Sequence, residues 1–166
     1  MTSVQVGIDQ SQAKVSLIST PDVPGVAARI FEILHEWGIA VNLVVQNSPQ
    51  PGHDGRANMS FLVPQSQLPN VHRCLSALSL ELHLGAATVN PAIGVLTLSG
   101  LEPQLTAGAR SAATYARAFG ALRDAGINLH LITAQGTKLT IVTTSEDVQR
   151  AALLLVDAFT PQADAL

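Results

Sequence analysis

Charged residues are scarce in this chain of 166 amino acids: they make up 13% of it, against roughly 25% in an average domain. Hydrophobic residues make up 47%, which excludes an intrinsically disordered chain, because disorder requires low hydrophobicity together with high net charge. The formal net charge is −3 and the only lysines are Lys14 and Lys138, so the sequence lacks the basic patch of a nucleic-acid-binding protein. So few charges on a small chain predict that another chain covers part of its apolar surface.

Cysteine and long apolar runs are also nearly absent. Cys74 is the single cysteine, which excludes an intramolecular disulfide and a zinc site built from cysteines. No apolar run approaches the roughly 18 residues of a membrane span, and the N-terminal segment lacks the basic region and apolar core of a secretion signal. We therefore expect a cytoplasmic protein with no membrane partner and no nucleic-acid partner.

Motifs for catalysis and metal binding are missing as well. The five histidines show no metal-ligand spacing, and the sequence has no Gly-x-Ser-x-Gly nucleophile motif and no phosphate-binding glycine loop. Structural positions on helices and strands account for the histidines. The sequence predicts no metal, no cofactor and no catalytic residue.

What the sequence does contain is a weak internal repeat. Residues 15–19 resemble residues 95–99 at an offset of 80, and Gly38-Ile39 matches Gly126-Ile127 at an offset of 88. Residues 59–62 then correspond to residues 139–142, again at an offset of 80. Because the order of the matches is preserved, we interpret the chain as two copies of one supersecondary unit.

Each copy has the hydrophobic pattern of alternating strands and helices. In the first copy the predicted strands are 14–20, 39–47, 57–63 and 82–89, with helices from Pro24 to Trp37 and over 67–79. In the second copy the predicted strands are 93–99, 127–134 and 138–144, with helices over 108–125 and 145–159. The order βαββαβ is the ferredoxin-like split unit, so we predict the α+β class, with antiparallel sheets that carry their helices on one face.

The second copy lacks a fourth strand after its last helix. Residues 3–9 at the other end of the chain alternate like a strand and have no place in the first copy. Because an exposed sheet edge is a liability, we predict that residues 3–9 complete the second sheet, and a frayed N-terminus is the alternative. The predicted domains are then 13–90, and 3–9 together with 92–160.

The segment between the first strand and the first helix suits an α-amino acid. Pro24 sets the helical φ, Gly25 lets the backbone approach a ligand, and the N–H groups of Val26 and Ala27 can bind a carboxylate at the helix N-terminus. The Asp22 carboxylate can accept hydrogen bonds from N–H groups of the loop or of the helix N-terminus, or it can bind an ammonium group. The alternative is that Asp-x-Pro-Gly is simply a good helix start.

These same residues carry a family resemblance. The segment 21–31, Pro-Asp-Val-Pro-Gly-Val-Ala-Ala-Arg-Ile-Phe, followed by 38–47, Gly-Ile-Ala-Val-Asn-Leu-Val-Val-Gln-Asn, resembles the first ACT domain of aspartate kinase regulatory regions. Residues 126–133 are similar to the family's second ACT domain. The resemblance covers nearly the whole chain, and the chain resembles the separate β subunit of heteromeric aspartate kinases, whose first ACT domain is inserted in the second.

The resemblance implies a regulatory role without catalytic activity of the chain's own. It implies threonine or lysine as a feedback effector, a homodimer formed through the ACT units, and an aspartate kinase catalytic subunit as partner. The effector site implied by the resemblance lies where the two ACT domains meet. Its residues are Asp22, Pro24, Gly25, Val26, Ala27, Gln46 and Asn47 in the first unit and Ile127, Asn128 and Leu129 in the second.

The second copy departs from the family pattern. Residues 100–109 lack the family's His-Pro-Gly-like stretch, and Thr133-Ala134-Gln135 lacks a family carboxylate. Two alternatives follow from these changes. The chain could be a double-ACT sensor for another partner, or its second unit could act on an unusual amino acid, with His130 beside Asn128 as the first candidate.

Overall fold

The computed structural model describes residues 4–47, 55–101 and 110–160. Most of the loop over 100–109 therefore lies outside the described residues. The described residues form two compact units, one within Ser11–Pro91 and the other within Met1–Gln10 together with Ala92–Leu166. The strands are β1 (Gln5–Asp9), β2 (Gln12–Pro21), β3 (Asn42–Asn47), β4 (Arg56–Pro64), β5 (Ala86–Asn90), β6 (Ile93–Ser99), β7 (Leu131–Gln135) and β8 (Lys138–Thr144). The α-helices are α1 (Val26–Glu36), α2 (Leu68–Leu82), α3 (Arg110–Asp124) and α4 (Val148–Phe159).

Each unit is built on a four-stranded antiparallel sheet. The strand orders are β3-β4-β2-β5 in one sheet and β1-β6-β8-β7 in the other. In both orders the first and third strands of the repeat lie in the centre. The predicted α+β class with two ferredoxin-like units is confirmed.

The N-terminal strand belongs to the second unit. β1 pairs antiparallel with β6, with Val6 opposite Leu98 and Ile8 opposite Leu96. It therefore occupies the edge that β5 occupies beside β2 in the first unit. This pairing confirms that the first unit is inserted in the second.

Each unit has its own hydrophobic core between one sheet face and two helices. In the first unit Val15 and Leu17 of β2 and Phe61 of β4 are fully buried, and they pack with residues of α1 and α2. In the second unit Leu96 of β6 and Leu155 of α4 are fully buried in a separate cluster. The alternation of buried residues along β2 follows from the two-residue period of a strand.

The repeat extends to the atoms that end α1 and α3. Gly38 and Gly126 have left-handed backbones, with φ of 65° and 68°. Ile39 N–H donates to Leu34 O at 2.9 Å, and Ile127 N–H donates to Leu122 O at 2.9 Å. Both ends are Schellman caps, in which glycine relieves the steric cost of a positive φ.

Three of the predicted strands begin at least three residues later than expected. The strands predicted over 39–47 and 127–134 begin at Asn42 and Leu131, because Ile39 and Ile127 serve the helix caps. The strand predicted over 82–89 begins at Ala86. Here α2 continues to Leu82, since the apolar helical face persists, and it ends at His83 with a φ of 50°. None of the helices described above is both long and apolar enough to span a bilayer.

Candidate functional site

A pocket of about 300 Å³ lies where β2 ends and α1 begins. Its lining comes from the β2–α1 segment, from β3 and from β4. The lining residues are Thr20, Pro21, Asp22, Val23, Pro24, Gly25, Val26, Ala27, Gln46, Ala57 and Met59. The structure thus gathers six of the predicted site residues around one pocket.

The N-terminus of α1 opens into this pocket. Its N-cap is Gly25, in a left-handed conformation with φ 96° and ψ −20°, and no side chain of the described residues caps the helix. Val26 N–H, one of the two groups predicted to bind a carboxylate, instead donates to Val23 O at 3.2 Å. Ala27 N–H makes no hydrogen bond with the described part of the chain. An uncapped first turn with an available N–H and the positive end of the helix dipole favours an anion.

Asp22 lies at the mouth of the pocket and does not cap α1. Its backbone N–H donates to Gly55 O at 2.8 Å, and its carboxylate accepts from Gln46 Nε2 at 3.2 Å. The first contact fixes the loop and the second fixes the carboxylate. An ionised carboxylate accepts several hydrogen bonds, so Asp22 keeps the capacity to bind an ammonium group beside the helix N-terminus.

The pocket floor contains residues that the sequence pattern does not single out. Thr20, Ala57 and Met59 are 4%, 4% and 3% exposed. Regular alternation after Val15 and Leu17 would turn Thr20 towards the other face of the sheet. The register between β2 and β4 shifts between Leu17 and Thr20, with Ser19 at a φ of 55°, so Thr20 is buried instead. No local sequence signal marks this β-bulge, because serine rarely adopts a positive φ.

Four predicted site residues do not line this pocket. Asn47 follows Gln46 on β3 and is exposed. Ile127, Asn128 and Leu129 line a different pocket of about 370 Å³ in the other unit. There Asn128 Oδ1 accepts from Leu129 N–H at 3.0 Å, and Asn128 O accepts from Thr143 Oγ1 at 2.7 Å. Their role in binding stays a prediction.

Comparisons with known proteins find similarity over both units. Residues 15–78 match the family model described as "ACT domain". An aspartokinase of Mycolicibacterium smegmatis is 31% identical over 155 residues, which are 93% of this chain and 35% of that protein. The chain thus spans about a third of the length of the curated relatives it matches.

Solved structures with the same fold cover this chain almost completely. The regulatory subunit of aspartate kinase from Thermus thermophilus, in its ligand-free form, is 27% identical with a TM-score of 0.79, and the match covers 93% of this chain and 97% of that one. The corresponding subunit from Thermus flavus is 28% identical with a TM-score of 0.80, over 93% and 97% of the two chains.

Proposed function

We propose, from the premise that this chain belongs to the ACT-domain family of aspartokinase regulatory chains, that it binds an amino-acid effector and regulates an aspartate kinase catalytic chain. We assign the two ACT domains to residues 13–90 and to residues 3–9 with 92–160. The regulation we propose is feedback inhibition by threonine or lysine.

The observation that carries this proposal is the pairing of two opposite recognition elements at one pocket. The uncapped start of α1 supplies an N–H donor and a positive dipole for the carboxylate of an amino acid. Asp22, held by Gln46 at 3.2 Å, supplies an acceptor for the ammonium group. A free α-amino acid presents these two groups a few ångströms apart, whereas a peptide interior presents neither.

The similarity to separate regulatory subunits supports a role in controlling catalysis. Two solved chains named as regulatory subunits of aspartate kinase are covered to 97% by this one. An effector regulates only through a difference in affinity between two states of the assembly, typically worth about 1–3 kcal/mol. We therefore propose that this chain forms a homodimer and that the homodimer binds the catalytic chain. The effector would then regulate this assembly.

Binding is tested with the purified chain and the common amino acids. A ligand that binds only the native state raises the melting temperature, so a thermal-shift screen identifies the effector. Calorimetry then measures its Kd, for which we expect a micromolar to millimolar value, roughly −4 to −8 kcal/mol. If no amino acid raises the melting temperature or gives heat, the proposed function is wrong.

The location of the site is tested by two variants with matched controls. Asp22→Asn keeps an acceptor for Gln46 but removes the charge, and Gly25→Ala adds a methyl group at the pocket while straining a φ of 96°. We expect each to weaken effector binding about tenfold or more. Gly38→Ala strains an equally left-handed backbone that lies away from the pocket, and Asp157→Asn removes an exposed charge on α4. Both controls should bind as the wild type does.

Regulation is tested by mixing the chain with the aspartate kinase catalytic chain of its source organism. We expect the effector to lower kinase activity only in the presence of this chain, and Asp22→Asn to relieve that inhibition. Effector binding without any effect on the kinase would instead favour a double-ACT sensor for another partner.

A further inference from the structure

The hydroxyl group of Thr20 is buried in the pocket floor, and no described residue forms a hydrogen bond with it. The residue is 4% exposed, and its Oγ1 makes no hydrogen bond with any described residue. Buried polar groups are satisfied in the great majority of cases, and an unsatisfied one lowers the stability of the fold. A group of this kind at the wall of a pocket points to a ligand that supplies the missing partner.

A β-bulge brings this hydroxyl to the pocket. Ala13, Val15 and Leu17 of β2 are buried, and the next inward position of a regular strand would be Ser19. The bulge shifts the register by the time the strand reaches Thr20, which then pairs with Ala57 on β4. Thr20 consequently lies on the floor instead of on the opposite face of the sheet.

The bulge is fixed by contacts that leave Thr20 unused. Arg56 Nε donates to Ser19 O and to Ser19 Oγ, both at 2.8 Å, and Ser19 N–H donates to Asn58 Oδ1 at 2.9 Å. Gly85 N–H donates to Ile18 O at 3.0 Å, and a Cβ on Gly85 would lie only 2.7 Å from Ser19 Cβ. The strained backbone is therefore held without any contribution from the Thr20 hydroxyl, which argues against a structural role for that hydroxyl.

The other described residues of the floor disfavour a charged ligand group. Ala57 and Met59 flank Thr20 and offer no charge, and among the described residues that line the pocket Asp22 is the only ionisable one. Asp22 is exposed at the mouth, where it is bonded to Gln46. Burying an ammonium or carboxylate group against the floor would leave it unpaired, which is strongly unfavourable.

We propose that Thr20 is a specificity-determining residue whose hydroxyl bonds an uncharged polar group on the side chain of the effector. The inference rests on the proposed function, because it requires an amino acid whose carboxylate and ammonium groups lie at α1 and Asp22. The pocket then favours a short hydroxyl-bearing side chain over an apolar side chain of the same shape, and it disfavours lysine.

The test is a cycle that removes the hydroxyl from the protein and from the ligand separately. L-threonine and L-valine differ by a hydroxyl in place of a methyl group, and Thr20→Val makes the same change in the chain. Calorimetry should show that the wild type prefers threonine over valine, and that Thr20→Val reduces this preference about tenfold, the size expected for one hydrogen bond to a buried group. Thr20→Ser should retain the preference, and Thr88→Val, on β5 and exposed, should not change it.

Stability supplies a second readout. Without ligand, Thr20→Val should melt at the wild-type temperature or above it, because an isosteric methyl group replaces an unpaired hydroxyl. A clear fall in the melting temperature would show that the hydroxyl has a structural partner, and would overturn the proposal.

The remaining outcomes separate this inference from the proposed function. A wild type that binds valine or lysine more tightly than threonine, or a Thr20→Val variant with an unchanged preference, overturns the role of Thr20 while effector binding stands. If the wild type binds no amino acid, both proposals fail together.

Discussion

The single thiol of the chain lies in the core of the first unit. Cys74 on α2 is fully buried, and burial raises the pKa of its thiol from 9.0 to about 11. The native chain therefore keeps this proton at pH values where the unfolded chain has released it. The stability that follows from this difference is complete below about pH 9 and is lost as the pH rises through about 11.

This difference predicts a pH-dependent effect of one substitution. Between pH 9 and 11 the denaturation midpoint of the wild type should fall more steeply than that of Cys74→Ala, which lacks the thiol. Urea titrations at stepped pH measure both slopes, and the other titrating groups are common to the two proteins. Parallel slopes would show that the thiol ionises equally in both states.

Individual residues differ in how well the sequence predicts their surroundings. Cys74 lies near the apolar face of a helix whose period the sequence shows, and it is buried there. Thr20 could not be predicted, since its orientation depends on a bulge fixed by Arg56 and Asn58, which come from another strand. Local periodicity is a property of one segment, whereas tertiary contacts determine the orientation of the Thr20 side chain.

The close packing of β6 against α4 leads to a second prediction. Gly94 on β6 faces the start of α4, and a Cβ at this position would lie 2.4 Å from Val148 Cβ. Neither backbone can give way without disturbing the second core, so Gly94→Ala should lower the free energy of unfolding by about 1–3 kcal/mol.

The matched control is Gly7→Ala on β1. A Cβ there would have its nearest neighbour, Thr97 O, at 3.9 Å, which is ordinary contact. Denaturant titrations should therefore give a clearly lower unfolding midpoint for Gly94→Ala than for Gly7→Ala. Equal midpoints would mean that α4 moves away from β6 without loss of stability.

Elements were predicted well where one hydrophobic period holds from end to end. The strands 93–99 and 138–144 have the predicted bounds, because their neighbouring turn residues break the alternation sharply. Bounds failed after helices, where Ile39 and Ile127 look like the first apolar residues of a strand but bond back to the helix end. An apolar residue beyond a capping glycine is ambiguous from sequence alone, since both a Schellman cap and a strand bury it.

At the scale of the molecule, the insertion of one unit in the other could be derived from counting strands. The second copy lacks an edge strand, and residues 3–9 have no partner in the first copy. Pairing them closes the open edge of the second sheet and also gives the N-terminal strand a partner. β1 does pair with β6. Counting strands does not predict the floor of the candidate site, because the floor depends on the register between β2 and β4 and not on which strands are present.

The two units share an exposed apolar residue at equivalent edge positions. Val44 on β3 is 47% exposed and pairs with Phe61, and Ile132 on β7 is 44% exposed and pairs with Ile141. Both strands are sheet edges, which present unpaired backbone groups to another chain. Together with a charged content of only 13%, these edges favour self-association.

We therefore expect the chain to be a dimer at micromolar concentrations, and the double variant Val44→Lys with Ile132→Lys to weaken it, because a charge at an edge opposes strand pairing. Leu153→Lys is the control, since Leu153 is 72% exposed and belongs to the helix α4 rather than to an edge strand. Sedimentation velocity over a range of concentrations distinguishes the three proteins. A wild type that sediments as a monomer throughout, or a control that dissociates as readily as the double variant, would show that these edges do not carry the association.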